Sequence, residues 1–200
     1  MTTMENPMVR TIGLANAGLQ PTRPTQLVNF VLFQAAWFAA VLGAAHQRPL
    51  LGTACVVVVI AVHVAGAARP ARELALNVIV CLAGFAVESG MAIRGDVAYP
   101  SGQPVAWLAP YWMVALWGLL ATAPNVTMRW LKHRLWLVAV LGAVSGPASF
   151  AAGVRLGGAR FVDAPSALVT MACLWALAMP ALMWLSNRLD GSAAPARARS

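Results

Sequence analysis

The chain has 200 residues, of which 60% are hydrophobic and only 10% charged, with a mean hydropathy of +0.71. So little polar surface cannot cover a water-soluble globule, which leaves a polytopic membrane protein as the reading. The net charge of +8 comes from basic residues scattered singly between apolar runs, with no basic stripe or interleaved aromatic platform, and excludes a nucleic-acid partner.

Residues 1–25 include Pro7, Pro21, Pro24, Arg10 and Arg23 and show no hydrophobic period, which predicts a flexible tail. Six apolar segments then approach the roughly 20 residues that a helical span requires: 26–45, 50–67, 74–93, 108–127, 134–152 and 166–186. They predict an all-α, polytopic transmembrane bundle over 26–187, closed by a basic tail over 188–200. The first segment is longer than the core of a cleaved signal peptide and is expected to act as its own insertion signal. Tight turns at His46–Pro49 and Arg69–Arg72 make the first three spans sequential antiparallel neighbours, and a longer connection from Arg94 to Val105 separates the two halves.

Orientation follows from arginine and lysine. Of the 14 such residues, ten lie on the side of the two tails, Arg69, Arg72 and the Arg129–Arg134 turn, against four at Arg48, Arg94, Arg155 and Arg160. Both termini are therefore expected in the cytoplasm. All but Lys132 of the 14 are arginine, a bias that suits a GC-rich bacterial genome. Trp107, Tyr111, Trp112, Trp130 and Trp136 fall near span ends, where amphipathic rings anchor.

The third span carries an acid, Glu88, well inside it. A charge at the centre of a span costs roughly 2.5–3.5 kcal/mol on insertion scales, so such a residue is expected to face a bundle interior and find a partner there, in a functional or a structural role. Asn77, Cys81, Gly84 and Glu88 share one stripe at helical spacing. In the fifth span Gly142, Gly146, Ser149 and Gly153 repeat that spacing, and Pro147 frees the carbonyl of Ala143, which predicts direct packing of span five on span three. Gln34, Asn77, Asn125 and Ser149 are expected to shape a polar pocket around Glu88. Ser149, the freed carbonyl, Arg94 and Arg155 are its candidate partners.

Other chemistry lacks an anchor. No Walker-type loop, paired-histidine metal motif or haem-binding pair is present, and the acids stand apart, so neither metal nor cofactor is expected. Cys55, Cys81 and Cys173 show no ligand spacing and read as small buried residues. Ser149 and His63 are predicted in opposite halves of the bilayer, which argues against a hydrolase dyad.

Asn29-x-x-x-Phe33-Gln34-x-x-Trp37-Phe38, Glu88-Ser89, Asn125 and Gly146-Pro147-x-Ser149-Phe150-x-x-Gly153 together resemble the small bacterial inner-membrane family catalogued as domain of unknown function twenty-eight seventy-eight. The likeness runs from about Leu27 to Leu185. It implies a multi-pass inner-membrane protein with a lipid-related role in the envelope and assigns no activity. The leading reading is a lipid-facing accessory or lipid-modifying protein whose partners are membrane lipids. A small proton or solute transporter, and a structural subunit with a protein partner in the membrane, remain the alternatives.

Overall fold

The computed structural model describes residues 21–192. They form six α-helices: α1 (Arg23–Ala45), α2 (Pro49–Ala65), α3 (Pro70–Arg94), α4 (Tyr111–Ala121), α5 (Leu135–Arg155) and α6 (Ala164–Arg188). The tails expected at 1–25 and 188–200 lie mostly outside this range. Within it, Arg23 already opens α1, and the segment after α6 packs back on the bundle at Gly191.

Local chemistry sets the helix ends. Prolines sit in the first turns of α1, α2, α3 and α6, where a missing amide hydrogen costs nothing. Thr22 and Asp163 cap α1 and α6 with their side chains. Gly95, at a φ of 75°, ends α3 in the left-handed conformation.

Four helices, α1, α3, α5 and α6, are long and apolar enough to cross a membrane. The other two are shorter than expected. α2 has 17 residues and α4 only 11, about 26 and 17 Å against a hydrocarbon layer of about 30 Å. The span expected over 108–127 stops at Thr122 because Ala123 precedes Pro124 and is steered away from helical dihedrals. The chain turns there and swings Asn125 out of the helix line.

α1 and α2 cross closely at Gly52, where a Cβ would lie 2.7 Å from Ala40 Cα. α3 packs on α4, which also packs on α2. Gly142 and Gly146 of the α5 stripe meet α6 and not α3, correcting the expected pairing. The reason is one large side chain: Gly142 and Gly146 make room for Trp175 and Met179, and a Cβ on Gly146 would strike the Trp175 ring. At one end of the bundle, the α3–α4 and α5–α6 connections join in a short antiparallel ladder, β1 (Val97–Ala98) with β2 (Arg160–Phe161).

The outer surface is that of a membrane protein. Leu50, Leu82, Val144 and Leu177 all point outward, the reverse of a water-soluble core. Trp107, Trp130 and Trp136 are exposed near helix ends. Trp112 is not, at 1% exposure, and donates its indole N–H to the Ser101 carbonyl at 3.1 Å. Cys55 and Cys173 also lie on the outer surface, not in the core, because among the described residues the α2 and α6 faces that carry them have no helix against them.

Candidate functional site

Glu88 is buried at 5% exposure, and both its oxygens are held. Trp117 Nε1 donates to Oε1 at 3.0 Å and the Tyr99 hydroxyl to Oε2 at 2.8 Å. The expected partners are engaged elsewhere or make no such bond: Arg94 pairs with Asp96 at 2.9 Å and also reaches Ser166. Trp117 arrives from α4, and Tyr99 from the connection that follows β1.

Gly84 makes the first of these bonds feasible. It lies one turn before Glu88 on α3, and the Trp117 ring covers it so closely that a Cβ there would sit inside the ring's contact distance. The other face of Trp117 stacks on Trp175, with centroids 5.1 Å apart and planes 19° from parallel. Trp175 rests in turn on Gly146. Glycine, indole, indole, glycine therefore form one layer through α3, α4, α6 and α5. Stacked aromatic pairs add about 0.5–1.5 kcal/mol beyond the area they bury.

Tyr99 is placed by the loop around it. Ser101 donates to the Ala44 carbonyl at 2.8 Å, Gln47 to the Pro100 carbonyl at 3.1 Å, and Tyr99 meets Trp112 edge-on with centroids 6.1 Å apart. Burial first, and then the Glu88 carboxylate beside it, push the Tyr99 phenol well above its ordinary pKa. It stays a donor across the physiological range.

Glu88 lines a cavity of about 570 Å³ between α1 on one side and α5 and α6 on the other. The wall is apolar and rich in aromatic and methionine side chains, including Trp37, Trp112, Trp117, Trp175, Met171 and Met179. Gln34 of α1 and Ser145 and Ser149 of α5 add polar groups from the two sides. All three are exposed, so the cleft is open between α1 and α5. Val41 closes the end near β1 and β2 by meeting Gly153 and Gly158. Such a volume lies in the range of drug-sized ligand pockets.

Gln34, Ser149, Gly146 and Gly153 thus line the same cavity as Glu88, whereas Pro147 does not, Gly84 lies under the Trp117 ring and Gly142 faces α6. Asn77 and Asn125 lie elsewhere. They meet at Glu73, four residues before Asn77 on the same stripe of α3 and about 22 Å from Glu88 along the helix axis.

Glu73 is fully buried. Its Oε1 accepts from Asn125 Nδ2 at 2.8 Å and from the Gly191 amide at 2.9 Å, and its Oε2 lies 3.1 Å from His63 Nε2. Asn77 donates to the Glu73 carbonyl at 3.4 Å. Beyond Asn125, Lys132 Nζ contacts both Asn125 Oδ1 and Asp190 Oδ2, the latter at 3.0 Å, and Arg129 reaches the same Asp190 oxygen at 2.8 Å. Burial raises the Asp190 pKa, but the bonds and charges of Lys132 and Arg129 outweigh it and bring the group down to about 2. Burial also lowers the pKa of Lys132, against the pull of Asp190.

Single-residue reading of the sequence did not single out Glu73, Lys132, Asp190, Tyr99, Trp117 or Trp175. Periodicity held a signal for one of them: extending the Glu88–Asn77 stripe by four residues reaches Glu73. The others come from loops and other helices, so only folding brings them in.

No group of three or more His, Cys, Asp or Glu side chains among the described residues could hold a metal ion. No curated protein and no solved structure matches the chain. A family model described as protein of unknown function (DUF2878) matches residues 26–181, which spans all six helices up to the last turns of α6. The chain belongs to that family.

Proposed function

We propose that the protein is a lipid-facing envelope protein of the bacterial inner membrane that admits an apolar, chain-like ligand between α1 and α5 and holds its polar end at Glu88. The cleft carries this reading: it is apolar, open sideways between two helices that face lipid, and has one buried carboxylate in its wall. A route from the bilayer suits a ligand that partitions into lipid. The charge distribution supports cytoplasmic termini. Arg69, Arg129, Lys132, Arg134 and Arg188 gather at the end of the bundle where α3 begins and α6 ends, and Arg48, Arg94, Arg155 and Arg160 lie at the other.

The test is native mass spectrometry of protein released from membranes in mild detergent, comparing the wild type with Ser149→Trp. An indole at 149 fills the cleft from an exposed position on α5, so the variant is expected to fold. The wild type should carry an apolar adduct that the variant lacks. Equal adducts, or none in either, would overturn the reading.

A transporter would use the carboxylates at the two ends of α3, Glu73 and Glu88. The close-packed residues between them, Leu76 and Val80 on α3 with Trp117 and Ala121, weigh against a proton path.

A further inference from the structure

Taking the cleft as a ligand site, the reading just given, we infer that its ligand is a lipophilic cation: an amine or quaternary ammonium head on an apolar chain, with the positive charge against Glu88.

The charge inventory of the wall carries the inference. Glu88 is the one ionisable side chain that lines the cavity among the described residues; no lysine, arginine or histidine lines it. The two side chains bonded to its carboxylate are neutral donors, Tyr99 and Trp117, and Glu88 takes no part in the ion pairs of the described residues. The basic residue closest in sequence, Arg94, is committed to Asp96 and Ser166. A carboxylate has about four acceptor positions, and the protein fills two. Glu88 also lines an apolar chamber, in which a charge is costly without an opposite charge beside it.

Glu73 supplies the contrast within the same helix. It is also fully buried, yet its neighbourhood holds His63, Lys132 and Arg129. The fold thus sets one buried acid of α3 against a histidine, with Lys132 and Arg129 behind Asn125 and on Asp190, and leaves the other lining an apolar wall. A phosphate or carboxylate head at Glu88 would meet like charge with no arginine or lysine to hold it, so an ordinary phospholipid head group is a poor match. A cation supplies the missing charge. The methionine- and tryptophan-rich wall then takes the chain, as polarizable surfaces adapt to flexible apolar ligands.

The experiment uses the full chain in nanodiscs of zwitterionic lipid, with empty nanodiscs subtracted for partitioning. Dodecyltrimethylammonium, dodecanol and dodecyl sulfate are titrated separately, and binding is read from the emission of the wall tryptophans. The ammonium probe should bind the wild type at least about tenfold more tightly than the alcohol, and the sulfate more weakly than either. In Glu88→Gln the ammonium and the alcohol should bind alike. Equal binding of ammonium and alcohol to the wild type overturns the cation inference while leaving an apolar pocket in place. Binding of none of the three overturns the pocket itself. The wild-type series is decisive alone if Glu88→Gln does not fold.

Discussion

The indole of Trp117 lies across Gly84 and delivers its N–H to Glu88 Oε1 at 3.0 Å. A glycine on α3 and a tryptophan on α4 therefore determine together where an acid one turn further along α3 points. The space above Gly84 is the physical link, since any side chain there occupies the position of the ring.

Gly84→Ala is accordingly expected to be costly although alanine is the better helix former. The added Cβ would sit 2.5 Å from Trp117 Cβ, and the ring cannot withdraw without leaving Trp175 and Glu88. Overpacking of this kind costs about 1–3 kcal/mol, against a gain of about 1 kcal/mol in helix propensity. Thermal unfolding in detergent should show a lower midpoint, and tryptophan emission should shift as the stacked pair separates. An unchanged midpoint with unchanged emission would show that the layer yields freely.

Tyr99 offers a spectroscopic readout of Glu88. The chain has two tyrosines, Tyr99 and Tyr111. Ultraviolet titration should show one phenol ionising well above the ordinary value of about 10, and Tyr99→Phe should remove it. After burial, the causes of its elevation are the charge of Glu88 and the hydrogen bond to it. Glu88→Gln should therefore move the late phenol downward, with burial alone keeping it raised. A late phenol that persists unmoved in Glu88→Gln would contradict the contact.

The Glu73 network should behave as a unit. Removing one member of a buried charged cluster leaves the others unmatched and costs about 3–5 kcal/mol, so Glu73→Ala is expected to unfold more easily than Glu73→Gln, which can still accept from the Gly191 amide and Asn125. Gly191→Ala should also destabilise, because its Cβ would meet the Arg69 carbonyl and Glu73 Cγ. In denaturant titrations, losses from Glu73→Ala and Gly191→Ala should be less than additive. Full additivity would mean that the terminal segment is held independently of Glu73.

Acid should loosen the same end. The Asp190 pKa falls from 3.8 to about 2 on folding, so its ion pairs contribute fully above the unfolded value. That contribution, about 1 kcal/mol after allowance for solvent screening, is lost as the pH falls through the folded value. Wild-type stability should drop between about pH 4 and pH 2 more steeply than that of Asp190→Asn. Parallel curves would place the acid sensitivity elsewhere.

Composition and hydrophobic run length by themselves determined that the chain is a helical membrane protein, because apolar content and segment length leave no other way to satisfy the backbone. Helical spacing likewise placed Asn77, Gly84 and Glu88 on one face of α3, since that periodicity is fixed by local geometry. What the face meets was settled by tertiary structure. Whether α5 takes α3 or α6, and whether Asn125 belongs with Glu88 or Glu73, depends on where Trp175 finds room and where Pro124 breaks α4. Tyr99 reaches Glu88 only because Ser101 and Gln47 pin its loop to the turn after α1. A one-dimensional pattern encodes the face a helix presents; the partner is chosen by the shapes of side chains distant in sequence, and these meet only in the folded bundle.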